Sequence, residues 1–480
     1  MSDSRHLNLF PIVVGVWLVL LRVTTAAWIP LTETTEARYG EIARKMLETG
    51  NWVYLQYTYE TPFWAKPPMY AWLSATSMGI FGVNEFAARL PSILLGIATV
   101  YLTYLTIRRH LNSEFAARAA LVLATTLGFF VAMGAVMTDP SLVFCVTLSL
   151  CSWWNFHTSG EKTWGLLFFA GVGAGLLAKG PLAIVLIGLP IFFYLVAYRG
   201  WIKAITSLPW GWGSIIGFAL PIAWYVLAEL KTPGFIEYFV LGEHVYRFLK
   251  PGWAGDLYGN AHRQPYGTIW VYAAIGLLPW SLLLVGRFVQ APRVLLAKVG
   301  DDRFVAFLGL WCLTHLLFFS FAANIIWPYF LPMAPAFAML CVALIQVSDR
   351  AFRWLITVSV ASISCLAVLA SDMLLNRSDE RTNSARSIIA QWHSKESAKD
   401  DRLAYYSRRR IFSAEFYTNG KIRWVDSAGS IERLLNDDKI DYILVHGPEY
   451  RILPEVVRSR FVKLSGYVPT RLNLEMLKRR

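Results

Sequence analysis

Acidic residues are scarce in this 480-residue chain: 32 Asp and Glu stand against 45 Lys and Arg, and charged residues are only 16% of the whole. Soluble domains carry about a quarter charged residues, so the shortfall excludes an ordinary globular protein. Cysteine is nearly absent, and Cys145, Cys151, Cys312, Cys341 and Cys365 all fall inside apolar runs. That placement indicates neither a disulfide framework nor a zinc knuckle, and each reads as a small buried hydrophobe. No Gly-rich phosphate loop, dinucleotide fingerprint or His-Glu-x-x-His is found, so nucleotide chemistry has no support. Internal repeats and low-complexity segments are also missing.

What fills the chain instead is apolar: 56% of residues are hydrophobic. A bilayer core of ~30 Å takes about 20 apolar residues per helix. Runs of that kind place crossings at roughly 8–28, 90–108, 115–135, 140–157, 163–178, 180–198, 210–228, 268–286, 304–321, 326–346 and 353–371, an α-helical polytopic membrane protein with about 11–13 transmembrane helices. The first run ends in Thr24-Thr25-Ala26-Ala27-Trp28 and passes straight into a charged loop, which favours a membrane helix over a cleaved signal peptide. The 20 Trp and 22 Tyr suit the many membrane–water boundaries such a chain creates.

Eleven crossings put the termini on opposite sides. With the N-terminus inside, the cytoplasmic connections hold Arg108, Arg109, Lys162, Arg199, Lys203, Arg287, Arg293, Lys298, Arg303, Arg350 and Arg353, the cationic bias that sets orientation. These short basic loops account for much of the net charge of +13, and nucleic acid is set aside as a partner. Loops 29–89 and 229–267 and the tail 372–480 are then outside, and residues 1–371 form one membrane domain. In the first loop, 36–47 reads as a short helix and 68–81 as an amphipathic helix along the membrane surface. The tail alternates helix-like 385–392 and 431–435 with strand-like 403–406 and 442–445, the pattern of a small α/β domain.

Charges at the membrane edge are costly unless paired or used. Thr35-Glu36-Ala37-Arg38-Tyr39-Gly40-Glu41 offers Glu36 as a general acid or base and Arg38 as an anion contact, or else Thr35 caps a helix whose charges face water. Lys66, in Phe63-Trp64-Ala65-Lys66-Pro67-Pro68, is a compact cation suited to a phosphate, with snorkelling to headgroups as its rival. Asp139 precedes Pro140 where a helix begins, as an N-cap or as a second carboxylate on the same face as Glu36. Lys179, between two apolar runs on the outer side, breaks the inside-positive pattern, either binding phosphate or capping a helix C-terminus. The second outer loop supplies Glu243-His244-Val245-Tyr246-Arg247-Phe248 and later His262-Arg263 as metal or phosphate contacts. His244 with one carboxylate falls short of a metal-ligand set.

In this order the pieces resemble the GT-C glycosyltransferases, specifically the protein O-mannosyltransferase-like group that includes the lipid A aminoarabinose transferases (ArnT). The matching stretches are 36–47, Gly50-Asn51-Trp52, Lys66-Pro67-Pro68, Phe81-Gly82, Arg89-Leu90-Pro91, Thr138-Asp139-Pro140, Lys179-Gly180, Glu243-His244 with Arg247-Phe248, and Pro328-Tyr329. The resemblance implies a GT-C membrane domain with a periplasmic α/β tail in a bacterial inner membrane. It also implies a sugar donor carried on undecaprenyl phosphate and an acceptor at the periplasmic face, with inversion at the sugar carbon. Lipid A is the acceptor expected first, and a protein or another envelope glycan is the alternative. The family's catalytic carboxylates correspond to Glu36 and Asp139, and its donor-phosphate contacts to Arg38, Tyr39, Lys66, Lys179, Arg247 and Tyr329.

Three departures stand out. Thr35-Glu36-Ala37-Arg38-Tyr39 replaces the family's Asp-Glu-Thr-Arg-Tyr, so either Glu33 or Glu36 takes the place of the Asp. Ala65 stands where the family has a Glu thought to help hold zinc, which leaves His244 as a metal candidate without that partner. Asn324-Ile325-Ile326-Trp327-Pro328 replaces a Lys-rich turn, a sign that the sugar or acceptor differs. A rival of another class, a polyprenyl-phosphate transporter or flippase, would place its charges near the bilayer midplane and show inverted repeats.

Overall fold

In lipid the backbone has no hydrogen-bond partner but itself, so apolar runs fold as helices. In the computed structural model each of the eleven expected segments is helical over most of its described length. The structure describes residues 9–198, 201–259, 262–345, 348–375, 383–395, 403–427, 429–431, 440–464 and 472–480. Among these, seven helices are long and apolar enough to cross a membrane: Phe10–Trp28, Glu85–His110, Pro181–Tyr198, Trp210–Lys231, Arg303–Ser320, Trp327–Leu344 and Asp349–Leu369. The pair Thr268–Gly276 and Trp280–Gln290, bent by 106°, makes an eighth if counted as one span.

The expected span 115–135 is not continuous. It breaks between Ser113–Ala124 and Leu127–Ala132. Thr125 and Thr126 turn their hydroxyls back onto the carbonyls of Leu121 and Val122 at 2.6 and 2.8 Å, and Thr126 takes an extended conformation. Such back-bonding competes with the helical ladder. The helices Asp139–Ser159 and Lys162–Lys179 pack closely because small residues meet: a Cβ at Gly171 would lie 2.4 Å from Ser149 Oγ.

By its contacts the chain divides into two compact units. One comprises Met1–Val23, Asn51–Trp72 and Leu90–Ser364, and the other Thr24–Gly50, Leu73–Arg89 and Cys365–Arg480. The first holds most of the membrane helices around an aromatic and aliphatic core that includes Trp153, Phe307, Trp311 and Phe330.

The second unit is built on a five-stranded sheet of β1 (Leu403–Tyr406), β2 (Arg423–Val425), β3 (Tyr442–His446), β4 (Phe461–Lys463) and β5 (Leu474–Arg479), in the order β2-β1-β3-β5-β4. β1 pairs in parallel with β2 and β3, and β5 pairs antiparallel with β3 and β4. Successive side chains of β1 and β3 enter cores on opposite faces, Leu403, Tyr405 and Leu444 on one and Ala404, Tyr406 and Ile443 on the other. The expected strands are present, the helix expected at 385–392 spans Arg386–Lys395, and most of 431–435 lies outside the described residues.

The first-loop helix Thr35–Thr49 belongs to this unit and packs on the helix Phe412–Tyr417. Lys45, with a wholly buried side chain, joins Glu415 at 3.0 Å and Glu41 at 3.3 Å. Arg410 and the Tyr405 hydroxyl also donate to Glu415.

Glu33 lies in the same unit, with its carboxyl tip buried although the residue as a whole is partly exposed. Oε1 accepts the Ser413 N–H at 2.5 Å, and Oε2 has no hydrogen-bond partner among the described residues. Burial raises this carboxyl to about 7, against the lowering effect of the Ser413 contacts. Because the folded state binds the proton more tightly, Glu33 supports stability below its ordinary value of 4.5, and that support is lost as pH rises through about 7. We expect at most ~3 kcal/mol from this group across that window. Thermal melts in detergent between these pH values should show a decline that Glu33→Gln flattens. An unchanged decline in the variant refutes the assignment.

Candidate active site

Two helix ends place the first pair of charges. Lys179 is the last residue of Lys162–Lys179 and Asp139 the first of Asp139–Ser159, positions where a helix dipole favours a cation and an anion respectively. Lys179 Nζ meets Asp139 Oδ1 at 2.6 Å, with side chains only 8% and 7% exposed. Asp139 is therefore not the N-cap; Thr138 occupies that position, without a side-chain capping bond. Asp139 Oδ2 has no partner among the described residues. Lys179 Nζ also stands 4.9 Å from the ring centre of Tyr329, which the Pro-rich 3₁₀ turn Trp327–Met333 presents.

The second cluster forms around Glu243. The segment Glu237–Tyr246 winds as a π-helix, which brings residues five apart together. The Tyr238 hydroxyl accordingly faces Glu243 Oε1 at 3.4 Å, and His244 Nδ1 lies 2.7 Å from the Phe239 carbonyl. Lys66, which also donates to the Ala65 carbonyl, reaches Glu243 Oε2 at 2.9 Å. Arg247 donates to Glu243 Oε1 at 3.0 Å and pairs with Asp256 at 3.5 Å. Burial works to raise the Glu243 carboxyl, but the Lys66 and Arg247 charges outweigh it and hold it at about 2. Burial likewise opposes the Arg247 charge and is outweighed by Glu243, so its guanidinium stays charged, above its ordinary value.

His244 ties the two clusters together: its Nε2 lies 3.0 Å from the Lys179 carbonyl. Burial pushes this imidazole below its usual value. The arrangement corrects His244 as a metal candidate, because both ring nitrogens face backbone carbonyls. Ala65 supplies no ligand, and no group of three His, Cys, Asp or Glu side chains fit to hold a metal occurs among the described residues. The residues present do not fit a zinc ion.

Lys66, Asp139, Lys179, His244, Arg247 and Tyr329 thus share one neighbourhood in the first unit. Glu36, Arg38 and Tyr39 belong to the second. There Arg89 grips both oxygens of Glu36, at 3.0 and 2.7 Å, and donates further to the carbonyls of Ala26, Ile29 and Pro30. Arg38 stacks on the ring of Tyr39, 5.3 Å from its centre. The roles of Arg89, Tyr238 and Asp256 went unread in the sequence. For Arg89 a signal existed: a cation at the mouth of a membrane helix calls for a partner.

A family model described as dolichyl-phosphate-mannose-protein mannosyltransferase matches residues 31–239. The undecaprenyl phosphate-alpha-4-amino-4-deoxy-L-arabinose arabinosyl transferase 1 of Pseudomonas fluorescens (strain Pf0-1) is 31% identical over 384 residues, covering 74% of this chain and 61% of that protein. The similarly named transferase of Pseudomonas aeruginosa is 28% identical, covering 71% and 59%. The chain thus spans less than two thirds of the length of either relative. The crystal structure of ArnT from Cupriavidus metallidurans bound to undecaprenyl phosphate aligns with a TM-score of 0.77 over 97% of each chain, at 18% identity. This chain has the ArnT fold. The resemblance read from the sequence holds, as does the expected polytopic helical architecture with a small C-terminal sheet. The Lys66 and Lys179 clusters lie in the membrane-helix unit, and the Glu36 helix folds with the sheet.

Proposed function

We propose that the chain is a glycosyltransferase that takes a sugar from undecaprenyl phosphate and passes it to an acceptor at the outer face of a bacterial inner membrane. Lipid A is the acceptor we favour, and the sheet unit lies in the periplasm. The observation that carries this reading is the pairing of Lys66 and Arg247 on Glu243 beside Lys179 on Asp139. Cations held this way are charged and already oriented, the condition for stabilising a leaving phosphate without reorganisation.

In the reaction an acceptor hydroxyl attacks the anomeric carbon as the bond from that carbon to the phosphate oxygen breaks, which inverts the centre. Lys66, Arg247 and Lys179 receive the charge that builds on the departing lipid phosphate. We assign removal of the acceptor proton to Asp139, because its Oδ2 has no partner among the described residues, whereas Arg89 engages both oxygens of Glu36. That the donor sugar is the one in the relatives' names, 4-amino-4-deoxy-L-arabinose, is part of the same proposal.

The chain expressed in a strain lacking its own transferase should yield a lipid A species one sugar heavier by mass spectrometry. The same sugar found instead on another envelope glycan or a protein would move the acceptor. Lipid flipping in vesicles with no transfer to anything would replace the enzyme reading with a transporter.

A further inference from the structure

Beside the Glu243 cluster stands an aromatic wall that phosphate binding does not require. Trp253 is half-buried between Tyr238, at 5.9 Å between ring centres, and Tyr246, at 6.3 Å. Its ring is seated on backbone that admits no side chain: a Cβ at Gly242 would come 2.7 Å from Trp253 Cη2, and one at Gly255 2.5 Å from Cζ2. Tyr238 links this wall to the charges, since its hydroxyl faces Glu243 while its ring lies against Trp253.

A tryptophan at a membrane edge is often only an anchor in the headgroups. An anchor has no need of a fixed seat. Here two glycines set the ring's position, and Gly242 directly precedes the carboxylate that Lys66 and Arg247 share. The indole N–H has no partner among the described residues. An indole so placed offers a flat π face to the C–H face of a sugar ring and a free donor to one of its hydroxyls, the apolar body and polar handle that make Trp a recognition residue.

We propose that Trp253 is the platform for the donor's pyranose ring, a specificity residue one side chain away from the cradle for its phosphate. The proposal rests on the glycosyltransferase reading above. It predicts that the site distinguishes a glycosylated lipid phosphate from the bare lipid phosphate, and that this distinction is lost with the indole.

The test compares binding of undecaprenyl phosphate and of undecaprenyl phosphate-4-amino-4-deoxy-L-arabinose to the full chain in detergent. The wild type should bind the glycoside about tenfold more tightly. Trp253→Ala should lose that advantage while its affinity for bare undecaprenyl phosphate stays unchanged, and Trp253→Phe should keep most of it. Gly255→Ala, which displaces the ring, makes the same point if the alanine variant does not fold. Equal wild-type affinities for the two lipids, an advantage that survives Trp253→Ala, or a loss shared equally by both lipids would each overturn the platform. Lys66→Ala separates the parent reading: if it binds bare undecaprenyl phosphate as the wild type does, the phosphate cradle fails whatever Trp253 shows.

Discussion

Lys179→Met should abolish sugar transfer and lower stability by about 3–5 kcal/mol, the cost of leaving one member of a buried ion pair without its partner. Asp139 and Lys179 are both nearly inaccessible and 2.6 Å apart, so neither can turn to water when the other is removed. Asp139→Leu should be about as damaging. The double variant Lys179→Met/Asp139→Leu removes both charges and leaves apolar side chains in a membrane-facing protein, so its stability should return towards the wild type. Its activity should not. Thermal melts in detergent report the first quantity and transfer from an undecaprenyl-phosphate donor the second. Recovery of stability without transfer assigns chemistry to the pair, whereas recovery of both would reduce the pair to a structural clasp. Loss of one charge-stabilising contact is worth about 10²–10³ in rate by itself. A single variant that retains wild-type turnover would therefore contradict the site.

The architecture was legible where physics leaves few alternatives. Uninterrupted apolar runs must be helices in lipid, so positions such as 181–198 and 303–320 could be placed within a residue or two. The break at Thr125-Thr126 was not legible, because threonine is compatible with a membrane helix and becomes a breaker only when its hydroxyl takes a backbone carbonyl. In the site, isolated cations at membrane edges marked Lys66 and Lys179 well, since such charges demand partners. The partners themselves were harder to find. Glu243 was visible as a carboxylate, but its sharing between Lys66 and Arg247 depends on a residue 177 positions away and on π-helical winding that sequence periodicity does not announce. Glu36 shows the opposite case: the motif was recognised, while the Arg89 fork that engages it lies 53 residues downstream.

The buried network around Lys45 should respond unequally to loss of its members. Glu415 accepts from Arg410, Lys45 and Tyr405, and Glu41 from Arg44 and Lys45, so two buried carboxylates serve three cations. Removing Lys45 as Lys45→Met leaves each carboxylate with a guanidinium, and the cost should be about 1–3 kcal/mol. Removing Glu415 as Glu415→Leu takes the carboxylate that Arg410 and Lys45 share from both cations at once, and the cost should reach about 3–5 kcal/mol. Burial works to raise the Glu415 carboxyl, but Arg410 and Lys45 outweigh it and hold it below its ordinary value of 4.5. Its contribution is therefore intact above that value and lost as pH falls below it. Glu33 runs the other way, weakening the same unit as pH rises towards about 7. Melts across this range should then pass through a maximum on the acidic side of neutrality, with Glu415→Leu removing the acid limb and Glu33→Gln the upper one. If Lys45→Met proves as destabilising as Glu415→Leu, the cations are not in excess, and the network is held together by Lys45 alone.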